Sequence, residues 1–203
     1  MYVVTADQVG SRVDIDRSAA MQAELQGAFG DRLLLPVDQT AGDEVQALTE
    51  DPDTALSLVL HLARDGHWSI GLGVGGIRTP LPDAVRKAAG PAFIAAREAV
   101  DTAKRSDGRF ALRAAEPPAG TRPPADVEAL IRLLLVLRAR RSDPGWEVAD
   151  LVANGRTQKQ AAATLGISDA AVSQRLKTAM WSIDESARPA LVRLLAELDP
   201  DRR

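Results

Sequence analysis

Residues 157–180 read TQKQAAATLGISDAAVSQRLKTAM, and the spacing within this stretch decides how the second half of the chain is built. Gln158 to Leu165 is helix-compatible, with three successive alanines supplying the strongest helix formers. Gly166 ends that helix because it enters the left-handed region without a Cβ clash. Ile167 is a buried spacer. Ser168 is a good N-cap for a second helix, and Asp169 lies in its first turn, where a negative charge suits the helix dipole. Leu165, Ile167, Val172 and Leu176 recur where two crossing helices need a shared core, and Ala162, four residues before Gly166, is small enough for a close crossing. The stretch has the pattern of a helix-turn-helix.

With Val172 and Leu176 facing inward, Ser168, Asp169, Ala170, Ser173, Gln174 and Lys177 face outward. They are small or polar, so the second helix can lie deep in a DNA major groove. Gln174 suits a paired hydrogen bond to an adenine edge, and Arg175 and Lys177 suit phosphate or guanine. Thr157 and Gln158, at the start of the first helix, complete the expected DNA-contact set. The competing reading is a plain structural helical hairpin.

The chain has 203 residues, 45% of them hydrophobic and 3% aromatic, with net charge −3. This is enough apolar material for packed, mainly aliphatic cores and argues against wholesale disorder. It is not the balance of a generally basic nucleic-acid coat, so any DNA face must be local. There is no cysteine and there are two histidines, His61 and His67, which leaves no disulfide framework, thiolate chemistry or histidine metal cluster. No apolar run is long enough to span a membrane. MYVVTADQVG lacks the basic start and apolar run of a signal peptide, so the expected location is cytoplasmic.

Upstream, YVVTA at 2–6 reads as a buried strand ending at Asp7, followed by a helix from about Arg17 to Phe29. Arg32 to Val37 and Glu44 to Leu48 are further strand candidates, joined by DQTAGD with a hairpin turn at Gly42 and Asp43. Asp51 caps a helix over Asp53–Arg64, with Pro52 in its first turn. Along WSIGLGVGG, 68–76, Trp68, Ile70, Leu72 and Val74 point to one face, while Ser69, Gly71, Gly73 and Gly75 leave the other bare. A helix, a partner subunit or a flat ligand must lie against that bare face. Residues 77–83 are extended and broken by proline. A helix over Pro91–Arg105 and an edge strand over Arg109–Arg113 follow. The order β-α-β-β-α-β-α-β predicts an α+β sandwich of ferredoxin-like type, with a mainly antiparallel sheet and helices on one face. The four prolines of AEPPAGTRPP, 115–124, mark a linker between a domain at 1–114 and a helical domain at 125–203. In the latter, Asp126 caps a helix over 127–141, and helices follow at Trp146–Ala153 and about Glu185–Leu198.

TADQVGSR near the start, WSIGLGVGGIRTPLP, and AAGPAFIAAREAV resemble the SatD family, small bacterial proteins that often end in a helix-turn-helix; the likeness runs over about residues 1–185. More distantly, the first domain resembles class III nucleotide cyclases. That resemblance puts Asp7 of ADQVG and Asp43 of AGDEVQAL at the two metal-binding aspartates, and so implies Mg²⁺ held with a nucleotide. The cyclase groups that read the purine and stabilise the transferring phosphate are replaced here by Gln39, Ile94 and Glu98, with Arg97 one residue out of register. The transition-state stabilisation that dominates phosphoryl chemistry is then missing. Simpler readings make Asp7 a cap or a partner of Arg12, Asp43 a turn residue, and Arg78, Arg86 and Arg97 solvated or ion-paired groups rather than a phosphate clamp. The sequence thus points to a DNA-binding transcriptional regulator, not an enzyme. Its catalytically degenerate cyclase-like domain would serve dimerisation and nucleotide sensing, its partners being double-stranded DNA, a second copy and a small nucleotide, with no membrane. The alternatives are a Mg²⁺-dependent nucleotide-processing enzyme with an accessory helix-turn-helix, and a protein-binding scaffold.

Overall fold

A computed structural model describes residues 1–11, 15–40 and 42–200 of the chain. It is a mixed α+β structure that divides into two compact units. One runs from Met1 to Arg132 and includes the tail from Leu191; the other is Leu133–Ala190. This differs from the expected division at 1–114, 115–124 and 125–203. The proline-rich residues 115–123 have neither helix nor strand, but the helix after them begins at Pro124, and its first turns belong with the sheet. Asp126 lies in that helix's first turn instead of capping it.

The first unit contains β1 (Tyr2–Gln8), α1 (Ser18–Phe29), β2 (Asp38–Gln39), β3 (Glu44–Thr49), α2 (Pro52–Asp65), β4 (Trp68–Val74), α3 (Pro91–Ala103) and β5 (Phe110–Ala114), then the start of α4 (Pro124–Ala139). The sheet order is β2-β3-β1-β4-β5; β4 and β5 are parallel and every other pair is antiparallel. Arg32–Val37 is not a strand. A 3-10 turn covers Gly30–Arg32. Leu34 N–H reaches Leu48 O, but the ladder stops there, since Gln26 of α1 accepts from Val37 N–H and Gln22 donates to Val37 O. Side chains of α1 have taken the groups a strand would have used.

Register sorts the strand side chains into two faces. Tyr2, Val4 and Ala6 stand opposite Val74, Leu72 and Ile70, and all six are buried. Helices α1 and α2 cover this side. Gln8, at the end of the same row, ties down the entry to α1 by accepting from Arg17 N–H, and His61 of α2 meets Glu24 and Phe29 of α1. Asp51 caps α2 as expected, its carboxylate accepting from Asp53 N–H and Thr54 N–H. The other face carries Gly71 and Gly73, and α3 lies on it. A Cβ added at Gly71 would stand 2.6 Å from Ala96 O, and one at Gly73 would stand 2.8 Å from Ala96 Cα. Helices therefore pack on both faces of the sheet, not one. Of the three occupants considered for the bare face, it is the chain's own helix that fills it, so that surface is closed to a partner.

The edge at β5 is partly capped, since Glu128 of α4 accepts from Leu112 N–H. The chain's tail returns to β1: Tyr2 Oη–H donates to Leu195 O, and the Met1 ammonium meets Asp199 at 2.7 Å. The last helix, α8 (Trp181–Glu197), starts before the expected Glu185.

In the second unit, α5 (Asp143–Ala153), α6 (Gln158–Leu165) and α7 (Asp169–Thr178) pack around Val148, Ala161, Ala162, Val172 and Leu176, with Leu165, Ile167 and Trp181 against them. Among the described residues no helix is long and apolar enough to cross a membrane.

Candidate functional site

The turn between α6 and α7 is built as its residues dictate. Thr157 and Gln160 form a reciprocal capping box at the start of α6. Gly166 ends α6 at φ 65°, ψ 31°, and its N–H bonds Ala162 O. Ser168 Oγ accepts from Ala171 N–H at 3.2 Å and opens α7. Val172 and Leu176 are buried, which turns Ser168, Asp169, Ala170, Ser173, Gln174 and Lys177 outward, all of them exposed. Gln158 is also exposed.

Two residues of the expected contact set are partly occupied. The Thr157 hydroxyl serves the capping box, and Arg175, half-buried, lies 3.4 Å from Glu147 of α5. The free cations of this surface are Arg156, Lys159 and Lys177, which have no carboxylate partner among the described residues. Arg156 and Lys159 are additions to the set inferred from sequence; their signal was simply their place around the capping box.

Beneath α7 lies a buried charge cluster that sequence reasoning missed. Arg138 Nη1 and Arg141 Nη2 both donate to Asp184 Oδ2, at 2.5 and 2.6 Å. Arg141 Nε donates to Ala179 O, the carbonyl just past the end of α7. Both guanidinium groups stack on Trp146, at 4.9 and 4.7 Å from the ring centre. Burial pulls the Arg138 pKa below its usual value, and neighbouring Arg141 pulls the same way against the attraction of Asp184. The cluster clamps the end of α7 to α5 and the start of α8. Residues separated by 43 positions leave no local pattern to find.

In the first unit, Asp7 and Asp43 come together as the strand order requires. They line one hollow of about 680 Å³ with Gln8, Ser11, Asp16 and Lys104, and Gln8 N–H donates to Asp43 O. Lys104, from the end of α3, meets Asp7 at 2.9 Å. Burial would lower the Lys104 pKa, but the hydrogen bond and charge of Asp7, with Asp101 and Glu44 nearby, hold it above the ordinary lysine value. Arg12, the partner considered for Asp7, lies outside the described residues. An ammonium already holds the Asp7 oxygen, and among the described residues no group of three or more His, Cys, Asp or Glu could hold a metal ion. Gln39 turns its amide back onto Gly42 O, while Ile94 and Glu98 are exposed on α3.

No protein-family model matches the chain, and no curated protein or solved structure matches it.

Proposed function

We propose that the chain is a DNA-binding transcriptional regulator of the SatD type, in which α6 and α7 form a helix-turn-helix and α7 reads the major groove. The observation that carries this reading is the outward face of α7. It is small and polar over two turns, capped at both sides of a left-handed Gly166 turn, and flanked by Arg156, Lys159 and Lys177, which have no carboxylate partner among the described residues. A purely structural hairpin has no need of that combination. Gln174 supplies the base contact and the lysines the phosphate contacts.

The first unit is, on this proposal, a ferredoxin-type, cyclase-like module. The β1-α1-β2-β3-α2-β4 order with strands arranged β2-β3-β1-β4 supports that likeness; α3 and β5 are additions to it. Lys104 on Asp7 and the retracted Gln39 support a module without cyclase catalysis. Its roles would be dimerisation, which gives two half-sites about 34 Å apart on DNA, and binding of a small nucleotide at the Asp7–Asp43 hollow.

The test is genome-wide mapping of bound DNA, then anisotropy titrations on the recovered site. Replacing Gln174 by Ala should cost about 1–3 kcal/mol at that site and relax base preference. Lys177→Ala should weaken all sequences alike and lower the salt slope by about one. Unchanged affinity and selectivity in the double variant would remove α7 from the DNA interface.

A further inference from the structure

Helix α4 is apolar on two sides. Val127, Ile131, Leu134 and Leu135 make one side and are buried. Successive helical residues turn by about 100°, which puts Leu130, Leu133, Val136 and Leu137 on a second side, roughly opposite the first. Leu130, Leu133 and Val136 are 42%, 66% and 50% exposed, and Leu137 is half-buried. The polar residues of the middle turns, Glu128 and Arg132, fall in one narrow strip between the two sides and pair with each other. A helix at a protein surface carries one apolar stripe and a polar outer face, whereas a helix that is apolar nearly all round is covered nearly all round.

The exposed side has the spacing of a helix-pairing seam. Asp126, Ala129, Leu133, Val136 and Arg140 follow one another at steps of three, four, three and four residues, and all five are exposed. This repeat keeps one edge of a helix turned toward a neighbouring helix. Leu130 and Leu137 widen the seam, and Ala129 lets a second backbone come close. A single exposed apolar side chain is ordinary, but a continuous row marks an interaction surface.

The two ends of the seam identify the partner. Asp126 stands seven residues before Leu133, in the first turn of α4. Arg140 stands seven residues after it, in the closing turn where its N–H donates to Leu137 O. Neither has an ion partner among the described residues. A two-fold axis through Leu133 reverses the helix onto a copy of itself. It sets Leu133 on Leu133, Leu130 against Val136 and, about 10 Å to either side, Asp126 of each copy beside Arg140 of the other. The seam is its own complement in this direction, as a closed two-fold contact requires. Parallel pairing would set aspartate on aspartate and arginine on arginine.

We propose that α4 pairs antiparallel with α4 of a second copy of the chain, with Leu133 on the two-fold axis and an Asp126–Arg140 ion pair at each end. This rests on the homodimer proposed above, whose surface it names, and is independent of the DNA-binding reading of α7. One helix of 16 residues offers less than the roughly 800 Å² per partner of a standard interface, so the dimer is reversible and depends on concentration.

The test is sedimentation equilibrium of the full chain, without DNA, from low micromolar to sub-millimolar concentration. The parent should pass from monomer to dimer across this range. Leu133→Glu puts two carboxylates on the axis and should leave a monomer. Because that side chain is 66% exposed, the far-ultraviolet circular dichroism should not change. Asp126→Arg and Arg140→Asp, each alone, turn both end contacts repulsive and should weaken the dimer by about fivefold or more at low salt. The two changes together exchange the charges and should return the dimer to within about twofold of the parent. A parent that stays monomeric overturns this pairing and the homodimer with it. A dimer that survives Leu133→Glu keeps the homodimer but removes it from α4. Single reversals without effect, or a double variant that does not recover, overturn the antiparallel register. With no DNA present, every one of these outcomes is separate from the reading of α7.

Discussion

Gly71→Ala tests the seating of α3 on the bare face of β4. The added Cβ would stand 2.6 Å from Ala96 O and 2.8 Å from Val100 Cα, where carbon contacts settle at about 3.5–4.0 Å. These are backbone atoms, so no side chain can swing aside and α3 must retreat by about 1 Å. The helix meets the sheet through Ala92, Ala96, Ala99 and Ala103, all fully buried. These are short side chains that cannot refill the gap, and a gap of that size forfeits about a quarter to a half of each contact's attraction. Overpacking of this kind costs about 1–3 kcal/mol, offset by the roughly 0.5–1 kcal/mol gained when a strand glycine is removed. A net loss of about 1 kcal/mol is expected, read as a lower urea midpoint at unchanged slope. Gly27→Ala is the control. Gly27 sits inside α1 with nothing within 4 Å of an added Cβ, so it should stabilise by about 0.5–1 kcal/mol. If Gly71→Ala is as stable as the parent, α3 does not rest on the glycine face. If it instead lowers only the oligomeric mass, a second subunit lies there.

Removing the α2 cap with Asp51→Ala should cost about 1–2 kcal/mol at neutral pH. Burial raises the Asp51 pKa, but the hydrogen bonds from Thr54 and Asp53 outweigh it and leave the folded-state value below the ordinary one. The cap's contribution is therefore full above the unfolded-state pKa and disappears as pH falls through the folded-state pKa. Parent and variant should converge in acid, and a constant difference down to pH 2 would mean the charged cap is not the cause. Asp184→Asn should destabilise by about 3–5 kcal/mol, because Arg138 and Arg141 are left charged, buried and without their carboxylate. A loss under about 1 kcal/mol in thermal or urea unfolding would mean the cluster is hydrated and does not clamp α7.

Local chemistry was legible wherever a few neighbouring residues settle the conformation. Gly166, Ser168 and the Val172–Leu176 spacing determine α6, the turn and α7, because capping and periodicity act within one or two helical turns. Asp51 with Pro52 likewise sets the start of α2. The alternating glycines of β4 showed by themselves that something must approach closely, since a strand face without Cβ atoms leaves a void. That the occupant is α3, and that helices then lie on both faces, follows only from tertiary packing. The same holds for Arg32–Val37, whose strand-like composition loses to two glutamine side chains of α1 that reach its backbone first. Asp7 and Asp43 were readable as a pair, but Lys104 joins Asp7 from 97 positions away, and Arg138 of α4, Arg141 of the loop after it and Asp184 of α8 meet only in space. Charge pairing depends on distance in space and is indifferent to separation along the chain, so the electrostatics of both sites became visible only once the fold had brought those residues together.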